Sequence, residues 1–188
     1  MYTERELFGG ALSCSIPTAW RDVSDVRQVP DHQEVWQEME GSVLIVEILQ
    51  HQETVDDRHA ASFFFQDLAE SNGITDSNDY KFEAVTVSFP TQIDGATLCS
   101  GIGVQKIAMG RDYDINGQRR ENQEIRWTRI ELCVFRLPHV QTDLLVTITG
   151  PMPNPNEPPL QSGETLAWSE VFQRVVSSLK VRDWTIFA

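Results

Sequence analysis

Two runs decide the fold: EIRWTRIELCVFRL, Glu124 to Leu137, and, after the short break PHVQ, TDLLVTITG, Thr142 to Gly150. Both are rich in β-branched and aromatic residues, which suit a pleated and half-buried surface. Outward toward the N-terminus, TLCSGIGVQKIAM (Thr97–Met109), FEAVTVSF (Phe82–Phe89, closed by Pro90) and SVLIVEIL (Ser42–Leu49) share this character. The polar stretch GRDYDINGQRREN (Gly110–Asn122) joins two long runs, and its Asn116-Gly117 pair is a hairpin-turn signal. Strands that follow one another without helices pair antiparallel. EVWQEM alternates as a further half-buried strand with Val35 or Trp36 inward.

Two segments carry helical spacing instead. From Thr165 to Lys180, residues Trp168, Val171, Phe172, Val175 and Leu179 recur at intervals of three and four. From Thr54 to Asn72, residues Ala60, Phe64 and Leu68 share a face. Thr54 with Asp57 resembles a capping box, and Asn72-Gly73 supplies a stop. Phe63, Phe64 and Phe65 cannot all lie on one face, which allows one ring to be partly exposed, but core filling is the preferred reading. The order is therefore α+β: an antiparallel meander packed by a helix from each end of the sequence.

The 188 residues, 40% hydrophobic and 23% charged, are expected to form one domain spanning 1–188. The proline-rich segment at 150–164 reads as an exposed loop, because proline removes backbone donors. A net charge of −13, from 28 acids against 15 bases, argues against general nucleic-acid binding. No apolar run approaches the ~18 residues of a membrane span, and no targeting segment is recognisable. Cys14, Cys99 and Cys133 sit among apolar residues without close spacing, the pattern of reduced core thiols in a cytosolic or nuclear protein. With no coiled-coil signal, a monomer is expected.

Signatures of bond-making chemistry are missing. There is no G-x-S-x-G, and His32, His51, His59 and His139 are dispersed without metal-ligand spacing. His51 and His59 straddle a helix start with acids between them; a solvated helix start is preferred there over a surface metal site. SGIGVQK lacks the third glycine of a dinucleotide fingerprint and the end of a phosphate loop, so Gly101 and Gly103 read as a bulge or close packing within a strand. Neither a cofactor nor a metal is expected. A hydrolytic reading needs His32 and Glu34 to converge with another acid.

One stretch is left without a packing reason. VRQVPDHQEVW (Val26–Trp36) follows WRDVSDV and concentrates Asp22, Asp25, Asp31 and Glu34. It is either an ordinary solvated loop or a surface built to meet something basic. Asp31 after Pro30, and Ser24 with Asp25, are also natural turn or capping residues, and Gly9-Gly10 points to backbone geometry.

LFGGA (Leu7–Ala11), DVSD (Asp22–Asp25), VPDHQEV (Val29–Val35), LIVEIL (Leu44–Leu49), QTDLL (Gln141–Leu145) and the terminal IFA occur together in this order. That series resembles the Mog-type Ran guanine nucleotide release factors along essentially the whole chain. The resemblance implies a twisted, mostly antiparallel sheet flanked by helices on both faces, similar to PsbP. It implies a protein of nucleus and cytoplasm that binds the GTPase Ran through a basic surface near its nucleotide pocket and promotes nucleotide release. It assigns Asp31 and Glu34 to the Ran-contacting surface. Asp22, Asp25, Arg27, Gln33 and Trp36 are added by proximity. His32 and Trp36 depart mildly from common family usage. A docking module of the same fold, binding without nucleotide release, is the alternative.

Overall fold

The computed structural model of the chain describes residues 1–84, 91–109, 124–152 and 167–187. Its strands are β1 (Tyr2–Leu7), β2 (Leu12–Pro17), β3 (Arg21–Asp22), β4 (Gln33–Gln37), β5 (Val43–Gln50), β6 (Tyr80–Ala84), β7 (Thr97–Met109), β8 (Glu124–Leu137), β9 (Thr142–Pro151) and β10 (Lys180–Val181). The helices are α1 (Asp57–Ser71) and α2 (Glu170–Ser178). The bounds of β7 and β8 match the sequence expectation, and the two pair from Thr97↔Arg136 to Met109↔Glu124. The Asn116-Gly117 turn, the second half of FEAVTVSF and most of the proline-rich segment lie outside the described residues.

The main sheet has seven strands in the order β3-β4-β5-β9-β8-β7-β6, and every neighbouring pair is antiparallel. A single meander was expected; the structure corrects this to two. β3 to β5 form one and β6 to β9 the other, joined where β5 pairs with β9 from Val43↔Thr149 to Gln50↔Thr142. The chain leaves β5, passes through α1 and returns at the far edge as β6. The physical reason is that β5 carries apolar residues on both faces, which an edge position would leave uncovered. A second sheet, β1-β2-β10, was not anticipated.

Alternation along β8 separates two cores. Ile130, Leu132 and Val134 face α1, whose Ala61, Phe64 and Phe65 join them with Leu145. Cys133, Phe135 and Leu137 face the opposite way, onto Leu12, Cys14 and Ile16 of β2 and Phe172, Val175, Val176 and Leu179 at α2. Helices thus cover both faces. Core filling holds for Phe64 and Phe65, which are buried, but not for Phe63, which is 38% exposed.

Both helix starts differ from expectation. α1 is capped by Asp56, whose carboxylate accepts the Arg58 N–H, and not by Thr54. An aspartate directly before the first turn caps well and also complements the helix dipole. Its end conforms: Asn72 caps it and Gly73 has φ +75°. α2 begins only after Ser169, whose Oγ accepts the Phe172 N–H, so Trp168 lies before the helix and stacks on Phe172 at 4.7 Å. Ser169 is held there by Glu131, a 2% exposed carboxylate of β8 that accepts its Oγ–H at 2.6 Å.

Of the two readings of Gly101 and Gly103, the structure shows close packing and not a bulge, since the register runs unbroken through both. A Cβ on Gly103 would lie 2.5 Å from the Phe65 ring and 2.6 Å from the Lys81 carbonyl oxygen. Backbone cannot step aside as a side-chain tip can, so Gly103→Ala should cost about 1–3 kcal/mol or more. Urea unfolding followed by circular dichroism reads this; an unchanged midpoint would refute the packing role. Cys14 and Cys133 are buried, whereas Cys99 is only half-buried. Desolvation pushes the Cys14 thiol up to about 12 and the Cys99 thiol to about 11 and raises Cys133 as well, so all three stay protonated at neutral pH.

Candidate partner-binding site

The acidic stretch begins where the short β3 turns into a 3-10 turn, Val23–Asp25. Asp22 supplies the cap, its Oδ1 accepting the Ser24 N–H at 2.8 Å. Ser24 and Asp25, expected as turn or capping residues, lie within the turn, and the cap comes from the residue that precedes it, whose carboxylate can reach a free N–H. Asp25 and Arg27 are exposed. Asp31 is exposed too, within a turn closed by the Gln33 N–H on the Pro30 carbonyl at 2.9 Å. A proline followed by aspartate favours such a turn.

β4 then sends its side chains alternately to opposite faces. Gln33 donates through Nε2 to Glu47, its cross-strand partner on β5. Glu34 and Trp36 point the other way. Val35 and Trp36 are both buried, at 3% and 6% exposure, one on each face. The seven residues therefore do not form one patch: Gln33 lies behind the sheet, Arg27 and Asp31 occupy the loop, and Asp22, Asp25 and Trp36 line a common open pocket of ≈790 Å³. His32 is exposed and Glu34 is only partly so.

Glu34 has the most constrained setting of the acids. Its Oε1 accepts the backbone N–H of Phe8, at the turn between β1 and β2. There Phe8, Gly9 and Gly10 have φ of +51°, +64° and +95°; the glycines adopt these values without the penalty a Cβ brings. LFGGA and VPDHQEV, far apart in sequence, thus meet through one hydrogen bond. Burial raises the Glu34 carboxyl above its ordinary value, the Phe8 N–H opposes this, and the charge of Asp22 adds to the rise.

The sign of that shift makes a prediction. A raised folded-state pKa contributes stability fully present below the unfolded value of 4.5 and lost as pH rises through the higher folded value. Glu34→Gln retains an acceptor for Phe8 and has no charge to desolvate. Its stability relative to the parent should therefore rise between pH 4 and pH 7, in urea melts at each pH. A falling difference would contradict the burial.

Arg5 and Trp20 were missed by sequence reasoning. Arg5, on β1, lies over the Trp36 ring at 5.3 Å and lines the pocket with Trp20 and Arg21. Nothing local in YTEREL signals this, because the contact depends on the second sheet folding over β4. The histidines are engaged separately: His51 Nδ1 lies 2.8 Å from Asp143 and His59 Nδ1 lies 3.1 Å from Asp56. Among the described residues, no group of three or more His, Cys, Asp or Glu side chains is placed to hold a metal ion.

Residues 5–151 match the family model described as Ran-interacting Mog1 protein. A Ran guanine nucleotide release factor of Danio rerio is 32% identical, covering 97% of this chain and 98% of its own. The human protein of the same description is 32% identical over 96% of this chain and 94% of its own. The nuclear import protein mog1 of Schizosaccharomyces pombe is 29% identical over 97% and 99%. The solved structure of the Saccharomyces cerevisiae Ran-binding protein Mog1p covers 100% of this chain and 99% of its own, at 25% identity and a TM-score of 0.70. With sequence, full-length coverage and fold in agreement, the chain belongs to the Ran-interacting Mog1 protein family.

Proposed function

We propose that this chain, acting as one unit from 1 to 188, binds the small GTPase Ran and promotes release of its bound guanine nucleotide, in support of nuclear protein import. The observation that carries this reading is the full-length similarity to relatives described as Ran guanine nucleotide release factors. The protein works in nucleus and cytoplasm, as a monomer, without bond-making chemistry of its own. Its requirement is to bind the nucleotide-free GTPase more tightly than the loaded form; by linkage, nucleotide affinity then falls by the same factor. Asp31 and Glu34 are the proposed contacts to Ran. A carboxylate brought to the rim of a phosphate-holding pocket can pair with a base that phosphate otherwise engages, or disturb the metal ion there. Glu34, already partly desolvated, suits the tighter contact, and the exposed Asp31 suits steering and anchoring.

Release of a fluorescent GTP analogue from Ran tests this. The parent chain should accelerate release and Asp31→Lys/Glu34→Lys should not, while its circular dichroism is unchanged. Glu34→Lys alone should weaken Ran binding by about 2 kcal/mol, and Asp31→Lys by less, mainly through slower association. Binding by the parent without release would make the chain a docking module. Equal release by parent and double variant would remove both acids from the site.

A further inference from the structure

The pocket beside β3 contains cations that the acidic stretch leaves unmatched. Arg5 and Arg21 both line it, and neither has an ion-pair partner among the described residues. Among the described residues several arginines are matched, Arg182 with Glu4, Arg129 with Glu131, Arg126 with Glu124 and Arg136 with Asp143; Arg27 and Arg174, which lie outside this pocket, are not. In a chain of net charge −13, acids are not scarce.

Two further donors make the imbalance specific. Nε of Arg5 is buried with no acceptor, and so is the indole Nε1 of Trp36, a wall residue only 6% exposed. Buried donors are nearly always paired, so these groups identify a place where an acceptor is missing. At the mouth stand Val26 and Met39, 83% and 85% exposed, apolar side chains that a partner could cover. The rim acids Asp22, Asp25 and Glu38 repel a dense run of negative charge.

We propose that this pocket docks a short extended segment of a partner protein carrying a single carboxylate between apolar side chains. The carboxylate is taken by the guanidinium groups of Arg5 and Arg21, planar donors suited to it. The apolar neighbours cover Val26 and Met39. A pocket of ≈790 Å³ has room for several side chains. This contact is independent of nucleotide release and survives if that reading fails.

The test uses the full chain and short capped peptides in which one glutamate, glutamine or lysine stands between leucines. Calorimetry measures affinity, and the fluorescence of Trp20 and Trp36 reports occupancy. The glutamate peptide should bind about tenfold more tightly than the glutamine peptide, and Arg21→Gln and Arg5→Gln should each remove most of that difference. Arg21 is exposed, so its variant keeps the test valid if Arg5→Gln disturbs folding. Absence of binding, equal affinity for glutamate and glutamine peptides, or indifference to Arg21→Gln would overturn the proposal. Preference for the lysine peptide would give the pocket to its acids, and full competition by inorganic phosphate would make it a small-anion site. Self-association that Arg21→Gln abolishes would make a second copy the occupant; each of these three results also overturns it.

Discussion

Asp143→Ala should lower the stability of the chain by about 3–5 kcal/mol, a large share of the 5–15 kcal/mol typical of a folded domain. Asp143 is fully buried on β9 and is the acceptor at the centre of a polar cluster. Its Oδ1 lies 2.8 Å from His51 Nδ1 and accepts Nε–H of Arg136 at 3.3 Å; its Oδ2 accepts the Gln52 N–H at 3.0 Å. Arg136, 2% exposed, also donates to the carbonyls of Gln52 and Val55 and pairs with Asp57 at 3.1 Å. Removing the carboxylate leaves the Nε–H of Arg136 and the Gln52 N–H without acceptors and takes away the buried counter-charge of the guanidinium, which keeps only the half-exposed Asp57. The segment from Gln50 to Asp57, which carries the chain from β5 into α1, loses the two attachments that His51 and the Gln52 N–H make to Asp143.

Asp143→Asn keeps an acceptor but not the charge, so it should fall between parent and alanine variant. Asp143→Leu/Arg136→Met should be less damaging than the two single changes added together, because no charge is left unpaired. Urea unfolding of all variants measures this. A loss below about 1 kcal/mol for Asp143→Ala would mean that water replaces the carboxylate freely, contrary to its burial.

Phe172→Ala should cost a similar amount, about 3–5 kcal/mol. The ring is fully buried, stacks on Trp168 with planes 9° apart, and belongs to the core that ties α2 to β2 and the main sheet. α2 has only 9 residues, too few to hold together without its apolar face. Polar fixtures of the helix, Glu131 on Ser169 and Ser178 on the Ser15 N–H, are left intact by a truncation at Phe172. The midpoint in urea should therefore drop, and the fluorescence of Trp168 should change as its stacking partner disappears. A shifted midpoint with an altered slope would instead indicate a less compact native or denatured state.

Strands long enough to alternate, and apolar enough to have no other destination, were legible in the sequence. β7 and β8 fall where the residue pattern places them, and β5 and β9 within a residue or two. Helical spacing located α1 and α2, though the nearest good capping side chain, Asp56 or Ser169, decides where each begins. β1 and β2 were not legible. YTEREL alternates, but its outward residues are charged and its inward ones modest, so it reads as a polar tail until β2 is known to cover the main sheet. β3 and β10 span two residues each, too short for any period. The pairing of β5 with β9 depends on which faces are already covered, and no local pattern reports that.

For the candidate site, proximity in sequence was a poor guide. Period-two geometry puts Gln33 and Glu34 on opposite faces although they are neighbours, whereas Arg5 and Trp36, far apart in the chain, stack. The special setting of Glu34 depends on the Phe8 N–H, whose availability follows from the left-handed turn at Gly9 and Gly10. Burial of the carboxyl could not be inferred from its acidic surroundings, which resemble those of the exposed Asp31.

The topology also dictates the order in which the chain can acquire structure during synthesis. β5 waits for β9, and β2 receives its last neighbour only when Lys180 and Val181 have emerged to pair with Ser13 and Leu12. Contacts of such long sequence separation make folding slow, since loop closure must precede them. A ribosome-bound fragment ending before β9 holds β3 to β5 with one bare edge of β5, not yet joined to the β6 to β8 strands that α1 covers. Such an edge invites pairing with other chains. This fold is thus committed only once β9 and β10 have emerged, and its vulnerable interval is the time between the appearance of β5 and that of β9.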